Sequence, residues 1–245
     1  MPKIIQAESM ALILNIETST EVCSVSLAQN GNLLFKKESI EGMNHSRMLT
    51  VFIEEIFAEN KILINSLDAV AVSKGPGSYT GLRIGVSVAK GLCYGLNIPL
   101  ISINSLEMLS VFAAQNLAEY KLPNDGIPEL FCPMTDARRM EVYTSLYNLQ
   151  GEELRPVSAE IIDEQFLSDL LENHKVLFFG NGAEKCKSII KHKNAFFQGP
   201  MITSAQFMQS ISERKFNDSE FENVAYFEPF YLKNFVATIP KNKII

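Results

Sequence analysis

K-G-P-G-S-Y-T-G-L-R-I-G, running from Lys74 to Gly85, follows the apolar run Ala69 to Ser73 and leads into a segment with helical periodicity to about Tyr94. A buried strand, a glycine turn and a helix in that order form one unit of an α/β fold. Ser78 stands where a helix N-cap is expected, so free amides at the helix start can receive an anion. The spacing meets neither phosphate-loop pattern. Gly81 is followed by Leu82 rather than Lys-Ser/Thr, and Gly75, Gly77 and Gly81 miss G-x-G-x-x-G by one residue.

Gly77, Gly81, Gly85 and Ala89 recur every four residues and so share one helical face. Two interior glycines give up about 2 kcal/mol of helix propensity relative to alanine. Close approach of another backbone offsets such a loss, because a Cβ would block the contact. Periodicity does not say whether that backbone is the chain's own sheet or first helix, or another molecule.

Outward from this unit, Leu12 to Ile16 and Val22 to Ala28 read as strands, and Asn30-Gly31 as the tight turn to a returning strand at Leu33 to Lys37. A helix is predicted from about Ser46 to Asn60, with Leu49, Phe52, Ile53 and Ile56 at core spacing. Met48, Val51 and Phe57 add apolar residues beyond one face, which suits burial between layers or a docking patch. A strand at Ile98 to Ile103 and a helix opened by Asn104 or Ser105 complete the first half.

The second half predicts strands at Leu130 to Thr135, Val142 to Asn148, Leu154 to Ala159 and Val176 to Gly180. Helices are predicted at Asp163 to Asn173, Ala183 to Lys193 and Ser204 to Lys215. No residue-level repeat links the halves, yet strand, strand, strand, helix, strand, helix occurs twice. That order predicts an α/β fold of two ribonuclease-H-like lobes of the actin-like ATPase superfamily, each a mixed sheet flanked by helices. A plain doubly wound sheet is the alternative. The boundary falls near Glu119 to Glu129, where two prolines flank Asn-Asp-Gly, giving lobes 1–120 and 121–245. The tail from Pro229 is expected to end loosely or to return to the first lobe.

Of 245 residues, 47% are hydrophobic and 20% charged, with a net charge of -6. This is globular, and it disfavours a chain that grips nucleic acid unaided, since lysine and arginine supply most phosphate affinity. Four cysteines lie far apart without C-x-x-C, as buried thiols of a reducing compartment do. Neither a secretory leader nor an 18-residue apolar run is seen, so a cytoplasmic location is expected.

Catalytic ingredients are scarce. His45, His174 and His192 are scattered, with no H-E-x-x-H and no G-x-S-x-G. His45 reads as a polar residue at a helix start. A nucleotide cleft would use Glu17, Thr18 and Ser19 between the first strands, Asp136 at the matching place in the second half, and Gly180 and Gly182 of G-N-G. Singly, each also reads as an ordinary turn residue.

The motifs I-L-N-I-E-T-S-T (13–20), S-V-S-L-A (24–28), N-H-S-R-M-L (44–49), L-D-A-V-A-V-S-K-G-P-G-S-Y-T-G-L-R-I-G (67–85), A-K-G-L (89–92), I-P-L (98–100), S-L-E-M-L (105–109), M-T-D-A-R-R-M-E-V-Y (134–143), F-G-N-G-A (179–183) and E-P-F-Y-L (228–232) span nearly the whole chain. On these motifs it resembles the TsaB family, whose members serve the bacterial machinery that makes threonylcarbamoyladenosine in tRNA. The resemblance implies a non-catalytic subunit that pairs, through its amino-terminal helices, with a metal-bearing catalytic paralogue of the TsaD kind. It also implies an ATPase subunit of the TsaE kind, tRNA met only through the complex, and self-association when the paralogue is absent. Transferred to this chain, the interface comprises Met48, Val51, Phe52, Gly77, Gly81, Gly85 and Ala89. No cofactor, metal or catalytic role carries over, because the paralogue's paired histidines are represented only by His45. Glu17 and Tyr79 depart from the family's more usual Asp and Phe. The rival is a self-sufficient metal-dependent, glycoprotease-like peptidase or an actin-like ATPase or kinase.

Overall fold

The computed structural model describes residues 11–41 and 44–232. In the first half, β1 (Leu12–Glu17), β2 (Cys23–Gln29) and β3 (Asn32–Ser39) form an antiparallel meander. Asn30 and Gly31 both take the positive φ of a tight hairpin turn. Helix α1 (His45–Asn60), β4 (Ala69–Gly75), α2 (Tyr79–Leu96), β5 (Leu100–Asn104) and α3 (Ser105–Gln115) follow. The sheet order is β3-β2-β1-β4-β5, with β1, β4 and β5 parallel.

In the second half, β6 (Glu129–Asp136), β7 (Glu141–Tyr147) and β8 (Glu153–Ile161) repeat the meander. Short α4 (Ser168–Leu171), β9 (Lys175–Phe179), short α5 (Ala183–Cys186) and β10 (Ala195–Phe197) come next. Read from its meander edge, this sheet is β8-β7-β6-β9-β10, the same order as the first. The duplicated architecture expected from element order is therefore present.

Two helices are much shorter than predicted, for local reasons. At 163–173 the Asp163 carboxylate accepts the Gln165 amide in a turn, and Leu167 then takes φ 59°, so helix is confined to α4. At 183–193 the Ser188 hydroxyl bonds back to the Lys185 carbonyl, an alternative to continued helix, and α5 stops at Cys186. Strand β10 has no counterpart in the predicted elements. The segment predicted as one helix from Ser204 is a 3₁₀ turn, Ala205–Met208, continuing as α6 (Gln209–Asn217).

Strand alternation organises the packing in layers. Leu12, Leu14 and Ile16 of β1 join a core with Leu49, Phe52, Ile53, Ile56, Val86 and Ala89, so α1 and α2 cover the outer face of the first sheet. Ala11 and Ile13 point the other way, into a second core with Leu106, Leu109, Phe131, Phe179, Phe207 and Met208. That core holds α3 and α6 between the sheets. Leu130, Cys132, Val142, Leu146 and Phe178 face the short helices on the far side.

The helices are exchanged between halves. Helix α3 packs on β6 and β7 as well as on β4 and β5, while α6 packs on β1, β3 and β5. Beyond α6, Glu222 bridges Leu100, the Ser102 hydroxyl donates to the Glu222 carboxylate at 2.5 Å, and the Phe230 amide donates to Lys74 O at 2.8 Å. The loose end expected for the tail falls, for residues 233–245, outside the described residues.

The predicted boundary region is held by Lys175, the first residue of β9. Its side chain is 2% exposed, donates to Pro123 O at 2.6 Å and pairs with Asp125 and Glu129 at 3.0 and 2.9 Å. Burial disfavours the ammonium, but the bonds to Glu129 and Asp125 outweigh that and hold its pKa above the ordinary lysine value.

Candidate functional site

Three places collect the residues of interest. The first is the glycine face of α2. Ser78 caps the helix by accepting the Gly81 amide at 3.3 Å, and Asn97 closes it in the left-handed conformation. The stripe is turned inward, onto the Thr18-Ser19 turn that follows β1. A methyl at Gly81 would overlap the Thr18 carbonyl oxygen, one at Gly85 the Thr18 hydroxyl, and one at Gly77 would come within 2.8 Å of Ser19 Cβ. Thr18 Oγ1 donates to Gly81 O at 2.9 Å, and the Ser78 amide donates to Ser19 O at 2.6 Å. Ala89 is fully buried in the outer core. The expectation that these four small residues form the contact surface is corrected: the three glycines face Thr18 and Ser19 of the same chain, and Ala89 faces its core. Phe52, 7% exposed, is likewise committed to the core.

The turn that fills the glycine face continues the buried face of β1. Asn15 and Glu17 follow Ile13 in the inward alternation and lie at the carboxyl end of the sheet, level with Ser73 of β4. Glu17 Oε1 accepts from the Ser19 amide and hydroxyl, each at 2.5 Å, and from Thr203 Oγ1 at 3.2 Å. Thr20 and Thr203 share a hydrogen bond of 2.8 Å, so this turn joins the two halves of the chain. Among the described residues, both polar atoms of the Asn15 side-chain amide lack partners.

Burial pushes the Glu17 carboxyl above its ordinary value, against the opposing hydrogen bonds from Ser19 and other hydroxyls. A raised folded-state pKa means that the folded form binds more protons. The stability of the protonated state is therefore complete below pH 4.5, the ordinary value, and is lost as pH rises through the folded value. Glu17→Gln keeps an acceptor at Oε1 without the charge. Urea midpoints measured from pH 4.5 upward should show the variant's advantage over the native chain growing with pH.

The third place is the mirror of the second. Asp136 ends β6 as Glu17 ends β1; Gly182 packs against Thr135 and Asp136, and Gly180 against Met134. The Gly182 amide donates to Met134 O at 2.9 Å, the Asp136 amide to Asn181 Oδ1 at 2.9 Å, and Asn181 Nδ2 to Glu21 Oε2 at 3.1 Å. Lys185 Nζ pairs with Asp136 and donates to the Arg139 and Glu141 carbonyls. Asp136, Gly180 and Gly182 thus meet as the residues of a turn, linked to the first-lobe turn through Asn181 and Glu21.

Sequence periodicity missed an outer groove beside the stripe. Ile53, Phe57 and Ala58 of α1, Ile62 to Ile64 of the following turn, and Val88 and Leu92 of α2 line a cavity of about 690 Å³. Leu63 is 72% exposed and Tyr94, on the same helix as Leu92, 86%. Val51 is exposed and Met48 half-buried. Leucine and valine at four-residue spacing, Val88 and Leu92, were the available signal, but without knowing which way the glycines point it cannot be assigned to the surface. His45 opens α1, is buried, and places Nε2 3.1 Å from Val22 O. Among the described residues no group of three or more His, Cys, Asp and Glu side chains is placed to hold a metal ion, and no helix is long and apolar enough to cross a membrane.

The family described as TsaD, tRNA N6-adenosine threonylcarbamoyltransferase, matches residues 39–241. A tRNA threonylcarbamoyladenosine biosynthesis protein TsaB from Bacillus subtilis is 32% identical over 228 residues, covering 90% of this chain and 93% of the relative. The TsaB protein of Haemophilus influenzae is 29% identical, over 92% and 94%. A Pseudomonas aeruginosa crystal structure, described as an uncharacterized protein with similarity to peptidase YEAZ, superposes with a TM-score of 0.75 at 24% identity, covering 91% of this chain and all of that one. The last likeness bears on the two-lobed fold alone.

Proposed function

This chain belongs to the TsaB family of tRNA threonylcarbamoyladenosine biosynthesis proteins, and from that premise we propose that it is a non-catalytic subunit supporting threonylcarbamoyl transfer to tRNA. It binds a catalytic paralogue of the threonylcarbamoyltransferase kind through the outer face of α1 and α2. The observation that carries this reading is the apolar groove between those helices, with Leu63 exposed in its lining. An exposed apolar surface of this kind is what a partner's side chains bury. The same face serves self-association when the paralogue is absent, and an ATPase subunit joins the working assembly. tRNA is met through the complex, consistent with a net charge of -6.

A non-catalytic role is supported by the filling of both strand-end turns with the chain's own residues, Thr18 and Ser19 against α2 and G-N-G against Asp136. Reconstituted tRNA modification with and without this chain tests the role. Product should require the chain together with the paralogue, and product from the chain alone overturns the reading. Leu92→Asp places a charge in the groove and should weaken pairing about 30-fold or more, the loss of one interfacial hot spot. Sedimentation velocity measures this, with circular dichroism checking the fold. Unchanged pairing removes α1 and α2 as the interface.

A further inference from the structure

The second lobe contains a small pocket that neither the strand-end turns nor the α1–α2 groove involves. It measures about 290 Å³ and lies on the outer face of the second sheet, under the segment that connects β8 to α4. That volume is at the small-molecule end of ligand cavities. Cys132 and Thr144 are among its lining, both buried, and Arg155, Ser158, Glu160 and Asp163 bring polar groups around them.

The pocket is shaped by an irregularity in the ladder. Thr144 pairs with Ser158 and Leu146 with Arg155, so two steps along β7 span three along β8. In a regular strand residues 155 and 158 would point to opposite faces. The extra residue turns Arg155 onto the face that carries Ser158 and Glu160. Bulges commonly re-aim a side chain in this way beside sites.

Two opposite charges now line one cavity without neutralising each other. Among the described residues, neither Glu160 nor Asp163 comes within ion-pair distance of Arg155. Asp163 Oδ1 accepts the Gln165 amide, which fixes the carboxylate. Arg155 is near enough to Cys132 to draw its thiol down slightly, although burial, the larger effect, pushes that thiol up to about 12 and keeps it neutral. Thr144 Oγ1 donates to Pro133 O at 2.9 Å and lies 3.2 Å from Cys132 Sγ, whose thiol donates to it, which leaves one lone pair to accept.

We propose that this pocket binds a free α-amino acid, its carboxylate on Arg155 and its ammonium on Glu160 and Asp163. A guanidinium and a pair of carboxylates on one wall match the two charges of a zwitterion, and each is a charge-assisted contact. The floor of Thr144 and Cys132 favours a small side chain with a hydrogen-bonding group.

Calorimetric titration of the full chain with each of the twenty proteinogenic amino acids, up to about 10 mM, detects dissociation constants near 1 mM. Saturable binding of a small polar amino acid is expected, with neither its α-hydroxy acid nor its decarboxylated amine binding. Arg155→Gln and Glu160→Gln should each weaken it about 10-fold, equivalent to roughly 1.4 kcal/mol. Both residues line the rim of the pocket, and circular dichroism confirms that the variants fold. No saturable binding by any amino acid, or binding unchanged in both variants, overturns the proposal. The readout is direct binding to the isolated chain, so it stands or falls apart from the role in tRNA modification.

Discussion

Gly81→Ala is expected to destabilise the chain by about 2–4 kcal/mol, although alanine is the better helix former by about 1 kcal/mol. The added methyl would overlap the Thr18 carbonyl oxygen, which is backbone and has no rotamer to escape into. Making room separates α2 from the turn after β1 and strains the bond from Thr18 Oγ1 to Gly81 O. Overpacking of this kind costs about 1–3 kcal/mol where side chains can adjust, and more where backbone must move. Gly91 supplies the control, because nothing lies within 4 Å of a methyl placed there. Gly91→Ala should stabilise by up to about 1 kcal/mol. Urea unfolding of the two variants separates packing from partner binding. If Gly81→Ala leaves the midpoint unchanged, the inward packing of the stripe does not govern stability.

Lys175→Met should cost about 2–3 kcal/mol. The ammonium is enclosed and serves three acceptors, Pro123 O, Asp125 and Glu129, so its removal strands a carbonyl and two carboxylates at the junction of the halves. Removing one partner of a buried pair typically costs about 3–5 kcal/mol, and the lower figure here reflects the solvent that reaches Asp125 and Glu129. Adding Glu129→Gln should recover part of the loss, since the two sites share one network. Denaturant midpoints of the single and double variants test this, and additive losses would mean that the ion pair is not what holds the linker.

The first half of the chain was legible because its local signals agree. Asn30-Gly31 dictates a hairpin, Ser78 and Asn104 cap their helices, and Leu12 to Ile16 is a short apolar run buried on both faces. The second half was less so, because Asp163 and Ser188 offer backbone groups a local alternative to helix that apolar spacing does not register. At the site, spacing established that Gly77, Gly81 and Gly85 share a face. It could not say that the face meets Thr18, about sixty residues earlier, because periodicity orders residues within one element and carries no information between elements. Phe52 was misplaced for the same reason, and the groove residue Leu63 lies in a short turn where no period exists.

The exchange of α3 and α6 between the sheets bears on how the chain acquires its structure during synthesis. When residue 120 leaves the ribosome, the inner face of the first sheet lacks α6, and α3 lacks β6 and β7. Helix α3 is already on β4 and β5 at that point, but Ala205, Phe207, Met208 and Ile211, which complete the core around Ile13, come only with the last quarter of the polypeptide. Completion of the shared core therefore waits on contacts across long sequence separations, which are the slow kind to form.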